Sequence, residues 1–134
     1  MSDVLVLVED SEEDVEAVRR ALGKSHPALI VEWLPDGVTL LARMTSEAAP
    51  RPFLILLDLN LPGFGGHAAL TELRNRACDA AVVVFTSSSS SRDVDDAYAA
   101  GADGYLVKPV SFELLQQALE HTVTYWLQRG DRRW

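Results

Sequence analysis

One cysteine stands in 134 residues, so no intramolecular disulfide can form. That residue, Cys78, has no Cys or His at ligand spacing and reads as a plain structural thiol. Positive charge is scarce: 12 Lys and Arg face 20 Asp and Glu, for a net charge of -8. Nucleic-acid backbones require basic patches, so broad nucleic-acid binding is excluded. The one basic cluster, Arg129 with Arg132 and Arg133, reads as a solvated tail. No apolar run approaches the roughly 18 residues of a membrane helix. No signal-peptide pattern precedes Asp3, and a soluble, cytoplasmic chain is expected. His26, His67 and His121 lie too far apart to suggest a metal site. Linkers, low-complexity tracts and internal repeats are also missing, so a single domain over 1–134 is expected, with its core at about 4–127 and no output domain.

What is present is a set of short apolar runs. Val4–Val8, Phe53–Leu57 and Ala80–Phe85 are rich in Val, Ile, Leu or Phe and lack helical spacing. Such runs suit parallel strands buried on both faces. Leu29–Leu34 and Gly104–Val107 are two further candidate strands. Helical patterns fall between them: Ser11–Leu22 with Ser11 as N-cap, Val38–Met44 after a Pro-Asp-Gly turn, and Gly66–Arg76. Arg92–Ala100 ends at Gly101 as a C-cap, and Ser111–Leu127 is the longest helix. Strand and helix alternate five times, which predicts an α/β fold, a parallel sheet with helices on both faces.

The polar residues gather where these strands end. The first strand ends in Glu9-Asp10, the third in Asp58, the fourth in Thr86-Ser87 and the fifth in Lys108-Pro109. Open α/β sheets bind ligands at that edge. If these strands are neighbours, Glu9, Asp10 and Asp58 form a carboxylate cluster that repels itself unless a cation or proton intervenes. Oxygen-only ligands favour a hard ion, and Mg²⁺ suits a site that keeps waters and meets phosphate. A carboxylate can also be a nucleophile and form an acyl phosphate, with metal and Lys108 stabilising the transferring charge.

The segments Val8-Glu9-Asp10, Leu57-Asp58-Leu59-Asn60-Leu61-Pro62-Gly63, Phe85-Thr86-Ser87 and Leu106-Val107-Lys108-Pro109, in this order, resemble the receiver domain of bacterial two-component response regulators. The resemblance runs from about Val4 to Leu127. It implies a flavodoxin-like (βα)5 sheet in strand order 2-1-3-4-5. It further implies that Asp58 accepts a phosphoryl group from a histidine kinase. Asp10, Asp58 and the backbone carbonyl of Asn60 would hold Mg²⁺, and Glu9 would act on the metal through water. Lys108 would pair with the carboxylate and then with the phosphoryl group. Thr86 would bond a phosphoryl oxygen, and Tyr105 would swing inward in step with it. The Lys108-Pro109 bond would be cis. Val8–Asp14, Leu57–Pro62 and the pair Tyr125-Trp126 are similar to single-domain regulators paired with bacterial phytochrome kinases.

Plainer readings stand beside these. Asp14 is expected on a solvated helix face rather than at the metal. The serine run Ser87–Ser91 reads as a loop moving with Thr86, in which Ser88 touches the phosphoryl group or its attacking water. Gly63, Gly65 and Gly66 lack a nucleotide fingerprint and shape the loop beside Asp58. The last helix carries apolar residues on more than one stripe, among them Leu114, Leu119, Tyr125 and Trp126, and a homodimer through the helix 4–strand 5–helix 5 face is expected. Alternatively, Trp126 and Tyr125 fold onto the sheet edge. Three rival functions are weighed. A haloacid-dehalogenase-type phosphohydrolase needs an acid two residues after its nucleophile, where this chain has Asn60. A flavodoxin needs a neutral phosphate loop, where this chain has Glu9-Asp10-Ser11-Glu12-Glu13. A phosphorylation-independent binding module is the remaining alternative. The expected protein is thus a phosphoacceptor, not a turnover enzyme.

Overall fold

The computed structural model describes residues 3–133, and the side chains of 3–129. Ten elements alternate along the chain: β1 (Val4–Val8), α1 (Glu12–Ser25), β2 (Ile30–Leu34), α2 (Gly37–Thr45) and β3 (Leu54–Leu57), then α3 (Gly66–Asn75), β4 (Val82–Thr86), α4 (Ser91–Ala99), β5 (Gly104–Val107) and α5 (Phe112–Arg133). The sheet is wholly parallel, in the order β2-β1-β3-β4-β5. Both the alternation and the strand order agree with the sequence reading.

Side chains alternate across a strand with period two, and the core divides accordingly. Leu5, Leu7, Leu54, Leu56, Val83 and Phe85 face α1 and α5, where Val15, Val18, Leu22, Leu115, Leu119 and Val123 meet them. Val4, Val6, Val8, Ile55, Leu57 and Val82 face α2 and α3, where Leu40, Leu70 and Leu73 meet them. Strands β1, β3 and β4 are buried throughout, which explains their unbroken apolar runs. Trp126 joins the first core, whereas Tyr125 is half exposed and packs edge-on against it.

Helix starts follow the local chemistry. The Ser11 side chain accepts from the Asp14 amide, and Asp36 accepts from the Thr39 amide. Helix α1 runs past the predicted Leu22 to Ser25, because Gly23 is tolerated and the chain stops only before Pro27. Gly101, with φ of 108°, lies just beyond the Ala100 cap of α4, where a left-handed residue is needed. The last helix continues to Arg133, so Arg129 belongs to a helix, its guanidinium over the rings of Tyr125 and Trp126. The side chains of Arg132 and Arg133 lie outside the described residues. Among the described residues, no helix is long and apolar enough to cross a membrane.

Candidate functional site

The parallel register brings the carboxyl ends of β1, β3, β4 and β5 to one edge. Glu9 and Asp10 follow β1, Asp58 follows β3, Thr86 ends β4, and Lys108 follows β5. The strands β1, β3 and β4 are fixed by burial on both faces, and β5 by its ladder with β4. The carboxylates of Glu9, Asp10 and Asp58 each present an oxygen within 4.8 Å of the others. Asp10 is exposed, while Glu9 and Asp58 are buried.

Lys108 binds this cluster together. Its ammonium lies 2.6 Å from Glu9 Oε1, 2.7 Å from Asp14 Oδ2 and 3.2 Å from Asp58 Oδ2. The three N–H donors of a lysine are thereby all engaged. Glu9 turns its second oxygen, Oε2, to the amides of Asp10 and Ser11 at 3.1 and 3.3 Å. Burial pushes the Glu9 carboxyl up to about 7, with Asp58 adding to the rise and Lys108 opposing it. For Lys108, burial works against the charged form. Its hydrogen bonds to Asp14 and Glu9, with the charge of Asp58, outweigh it and hold the ammonium above its usual range. Lys108 is therefore a cation at every physiological pH.

The other half of the edge is neutral. Thr86 is fully buried, and its hydroxyl accepts from the Asn60 side-chain amide at 3.4 Å. The Asn60 backbone amide donates to Asp58 Oδ1 at 3.1 Å. Asn60 thus bridges the β3 acid and the β4 hydroxyl, a link the sequence did not disclose. Tyr105 is half-buried and donates its phenol to the Ser88 carbonyl at 2.9 Å. The Ser88 hydroxyl donates to Asp93 in the first turn of α4. The serine run is a loop leading into α4, as its composition suggested.

Glycines let the chain pass close to the acid. A Cβ on Gly66 would lie 2.1 Å from the Asp58 carbonyl oxygen, so α3 can start here only with glycine. Gly63 supplies a φ of 65° in the intervening turn. These positions do shape the loop beside Asp58.

Two expectations are corrected. The Lys108-Pro109 bond is trans, as are all the described peptide bonds. Trans is the lower-energy isomer of an X–Pro bond, and the β5 ladder already places Lys108, whose amide donates to the Thr86 carbonyl at 2.7 Å. Asp14 is not a purely solvated helix residue: it is an ion-pair partner of Lys108. The signal was available, because Ser11 fixes Asp14 in the first turn of α1. Helical side chains there point back toward the helix start, which here is the functional edge of the sheet. A third contact had no visible signal: the Trp33 indole N–H, on edge strand β2, donates to the Glu9 carbonyl at 2.6 Å.

The donor set fits a hard divalent cation. Three carboxylates converge, no sulfur or imidazole is among them, and one acid faces solvent where waters can complete a shell. A single lysine leaves the cluster with surplus negative charge for such an ion to neutralise.

Comparison with known proteins gives this arrangement a family. The profile described as "Response regulator receiver domain" matches residues 5–120. The probable methanogenesis regulatory protein FilR2 of Methanothrix harundinacea is 36% identical over 129 residues, covering 92% of this chain and 83% of the relative. Response regulator Rcp1 of Synechocystis is 34% identical over 134 residues, covering 93% and 89%. The Mn²⁺-bound crystal structure of Rcp1 superposes with a TM-score of 0.81 at 35% identity, over 92% of this chain and 94% of that one. The phosphorylated cyanobacterial phytochrome response regulator RcpA superposes with a TM-score of 0.85 at 30% identity, over 95% of each chain.

Proposed function

The chain belongs to the response regulator receiver domain family, and from that membership we propose that Asp58 is its phosphoacceptor, loaded by a sensor histidine kinase in the presence of Mg²⁺. One observation carries the assignment. Asp58 is a buried carboxylate at the end of a central strand, 3.2 Å from a lysine ammonium and beside two further acids.

In this reading Asp10, Asp58 and the Asn60 carbonyl hold the ion, and Glu9 reaches it through water. Bound there, Mg²⁺ supplies positive charge that offsets the phosphoryl oxygens. An Asp58 oxygen attacks the donor phosphorus. The new O–P bond forms as the N–P bond of phosphohistidine breaks, and the electron pair leaves with the donor imidazole. Lys108 then pairs with a phosphoryl oxygen, and the Thr86 hydroxyl donates to another. The Thr86 hydroxyl only accepts from Asn60, so its own O–H is left to donate in this way. Tyr105 follows, because its phenol is tied to the same β4–α4 loop at Ser88. The altered face of α4, β5 and α5 carries the output through protein contacts. Family members of this kind are signalling modules rather than turnover enzymes.

The kinase is assigned to the bacterial phytochrome class. Support comes from the likeness to RcpA, a phytochrome response regulator, and to a bacteriophytochrome response regulator that is 32% identical over 91% of this chain. A kinase of that class would meet its regulator in the cytoplasm, and the chain is inferred to work there. Homodimerisation through the α4–β5–α5 face is supported by Tyr98, Val107 and Tyr125, which that face leaves exposed.

The test is intact-mass analysis after treatment with acetyl phosphate and Mg²⁺. One phosphoryl group should add to the native chain and none to Asp58→Asn, nor to the native chain without the metal. A folded, Mg²⁺-binding chain that takes no phosphoryl group from either acetyl phosphate or a phosphohistidine donor would instead be a phosphorylation-independent binding module.

A further inference from the structure

Lys108 has three acidic partners, and the proposed reaction claims two of them. The ion and the phosphoryl group engage Asp58, and the ion's water shell engages Glu9. Asp14 lies outside the carboxylate cluster that could hold the metal. Yet its oxygen is 2.7 Å from the ammonium, closer than Asp58 at 3.2 Å. Its own position is built: the Asp14 amide is bound by the Ser11 cap, at the start of a helix whose face is locked into the core. The Asp14 side chain is 41% exposed, whereas Lys108 is 16% exposed, so the acid stands at the rim and reaches inward.

We propose that Asp14 is a positioning residue for the phosphoryl transfer, the one carboxylate that keeps the Lys108 ammonium in place while metal and phosphate occupy its other two partners. The inference rests on Asp58 being the phosphoacceptor. A four-carbon side chain with no fixed partner samples many rotamers, and ordering it at the moment of transfer costs conformational entropy. A charge-assisted bond to a carboxylate on a rigid helix removes part of that cost beforehand. Other acids in the same turn do not substitute, because Glu12 and Glu13 are exposed and Lys108 is bonded to neither.

The experiment compares Asp14→Asn with Glu13→Gln, which removes the same charge from the same turn. Two readouts are taken. In the first, Lys108 is acylated with a small N-hydroxysuccinimide ester and followed by peptide mass mapping. In the second, the rate of phosphoryl uptake from acetyl phosphate is followed by intact mass, with Mg²⁺ affinity and thermal midpoint measured in parallel. In Asp14→Asn, Lys108 should label about fivefold faster and uptake should slow by about the same factor, the scale for one partly exposed charge pair. Mg²⁺ affinity and midpoint should hold, Asp14→Glu should recover most of the uptake rate, and Glu13→Gln should match the native chain. Unchanged labelling of Lys108 in Asp14→Asn overturns the proposal whether or not the chain takes phosphate. Equal effects from Glu13→Gln overturn it too, by reducing it to local charge. A native chain that takes no phosphoryl group defeats the phosphoacceptor reading instead, and the labelling result then stands for Lys108 placement alone.

Discussion

The two halves of the functional edge are built on different principles. On the side of β1 and β3, the acids follow strands buried on both faces, and Glu9, Asp58 and Lys108 are each held by two or more polar contacts. On the side of α4 and β5, the groups are neutral and the support is thin. Helix α4 buries only Ala97, its N-cap Ser90 makes no side-chain capping bond, and no residue of β5 is fully buried. Lys108, at the end of β5, is held on the charged side by its acids. Chemistry that needs fixed charges thus rests on the rigid half. In the proposed function, the half that would answer a new charge is drawn from the weakly packed end of the molecule, where local opening is cheap.

The strongest way to break that contrast is through the core. Leu56 lies in the middle of β3, fully buried between α1 and α5. Leu56→Ala should cost about 2–5 kcal/mol of unfolding free energy, from lost transfer energy and a residual cavity. Tyr98→Ala, on exposed α4, should stay within about 0.5 kcal/mol. Urea titration monitored by circular dichroism measures both. Comparable losses would mean that α4 is as integral to the fold as β3.

A second test uses proton linkage on the charged side. The Glu9 carboxyl titrates at about 7, above its ordinary 4.5, because burial and Asp58 disfavour its charge. The folded chain therefore holds a proton that the unfolded chain has lost. Its stabilising contribution is full below pH 4.5, falls as pH rises, and is gone above about pH 7. Mg²⁺ would reverse the preference, since its positive charge favours the ionised acid. Mg²⁺ affinity should rise with pH below about 7, by at most about tenfold per unit, and level off above it. Calorimetric titration across that range checks this, and Glu9→Gln should flatten the profile.

The legibility of the sequence follows the same division. Strands β1 and β5 have the bounds their patterns predicted, since an apolar run ended by Glu9 or Lys108 leaves no doubt about where the ladder stops. The start of β4 is displaced from Ala80 to Val82. Ala80 and Ala81 are buried in the two cores, and the Ala81 carbonyl already accepts from the Ile55 amide, but the paired register with β3 begins only at Val82. The carboxylate cluster was legible because like residues at successive strand ends must converge once the order is known. The contacts of Asn60 and Trp33 were not, because each joins segments far apart in the chain through a side chain whose reach no spacing encodes. The proline isomer was misread because it was taken from the family resemblance rather than from the residues themselves.

The smallest expected effect addresses the neutral half directly. Tyr105→Phe keeps the ring and removes only the phenol that donates to the Ser88 carbonyl. One such bond contributes about 0.5–1.5 kcal/mol, and the freed carbonyl can turn to water because the serine loop is near the surface. Global stability should therefore fall by no more than about 1 kcal/mol. The local consequence should be larger than the global one. Ser88 is also held by Asp93 in the first turn of α4, so the loop and the helix start share a single anchor. Hydrogen exchange at Ser90–Val94 should speed up in Tyr105→Phe, while exchange in β1 and β3 should not change. If β1 and β3 respond equally, the two halves form one cooperative unit, and the switch must act by shifting the whole sheet rather than by releasing α4.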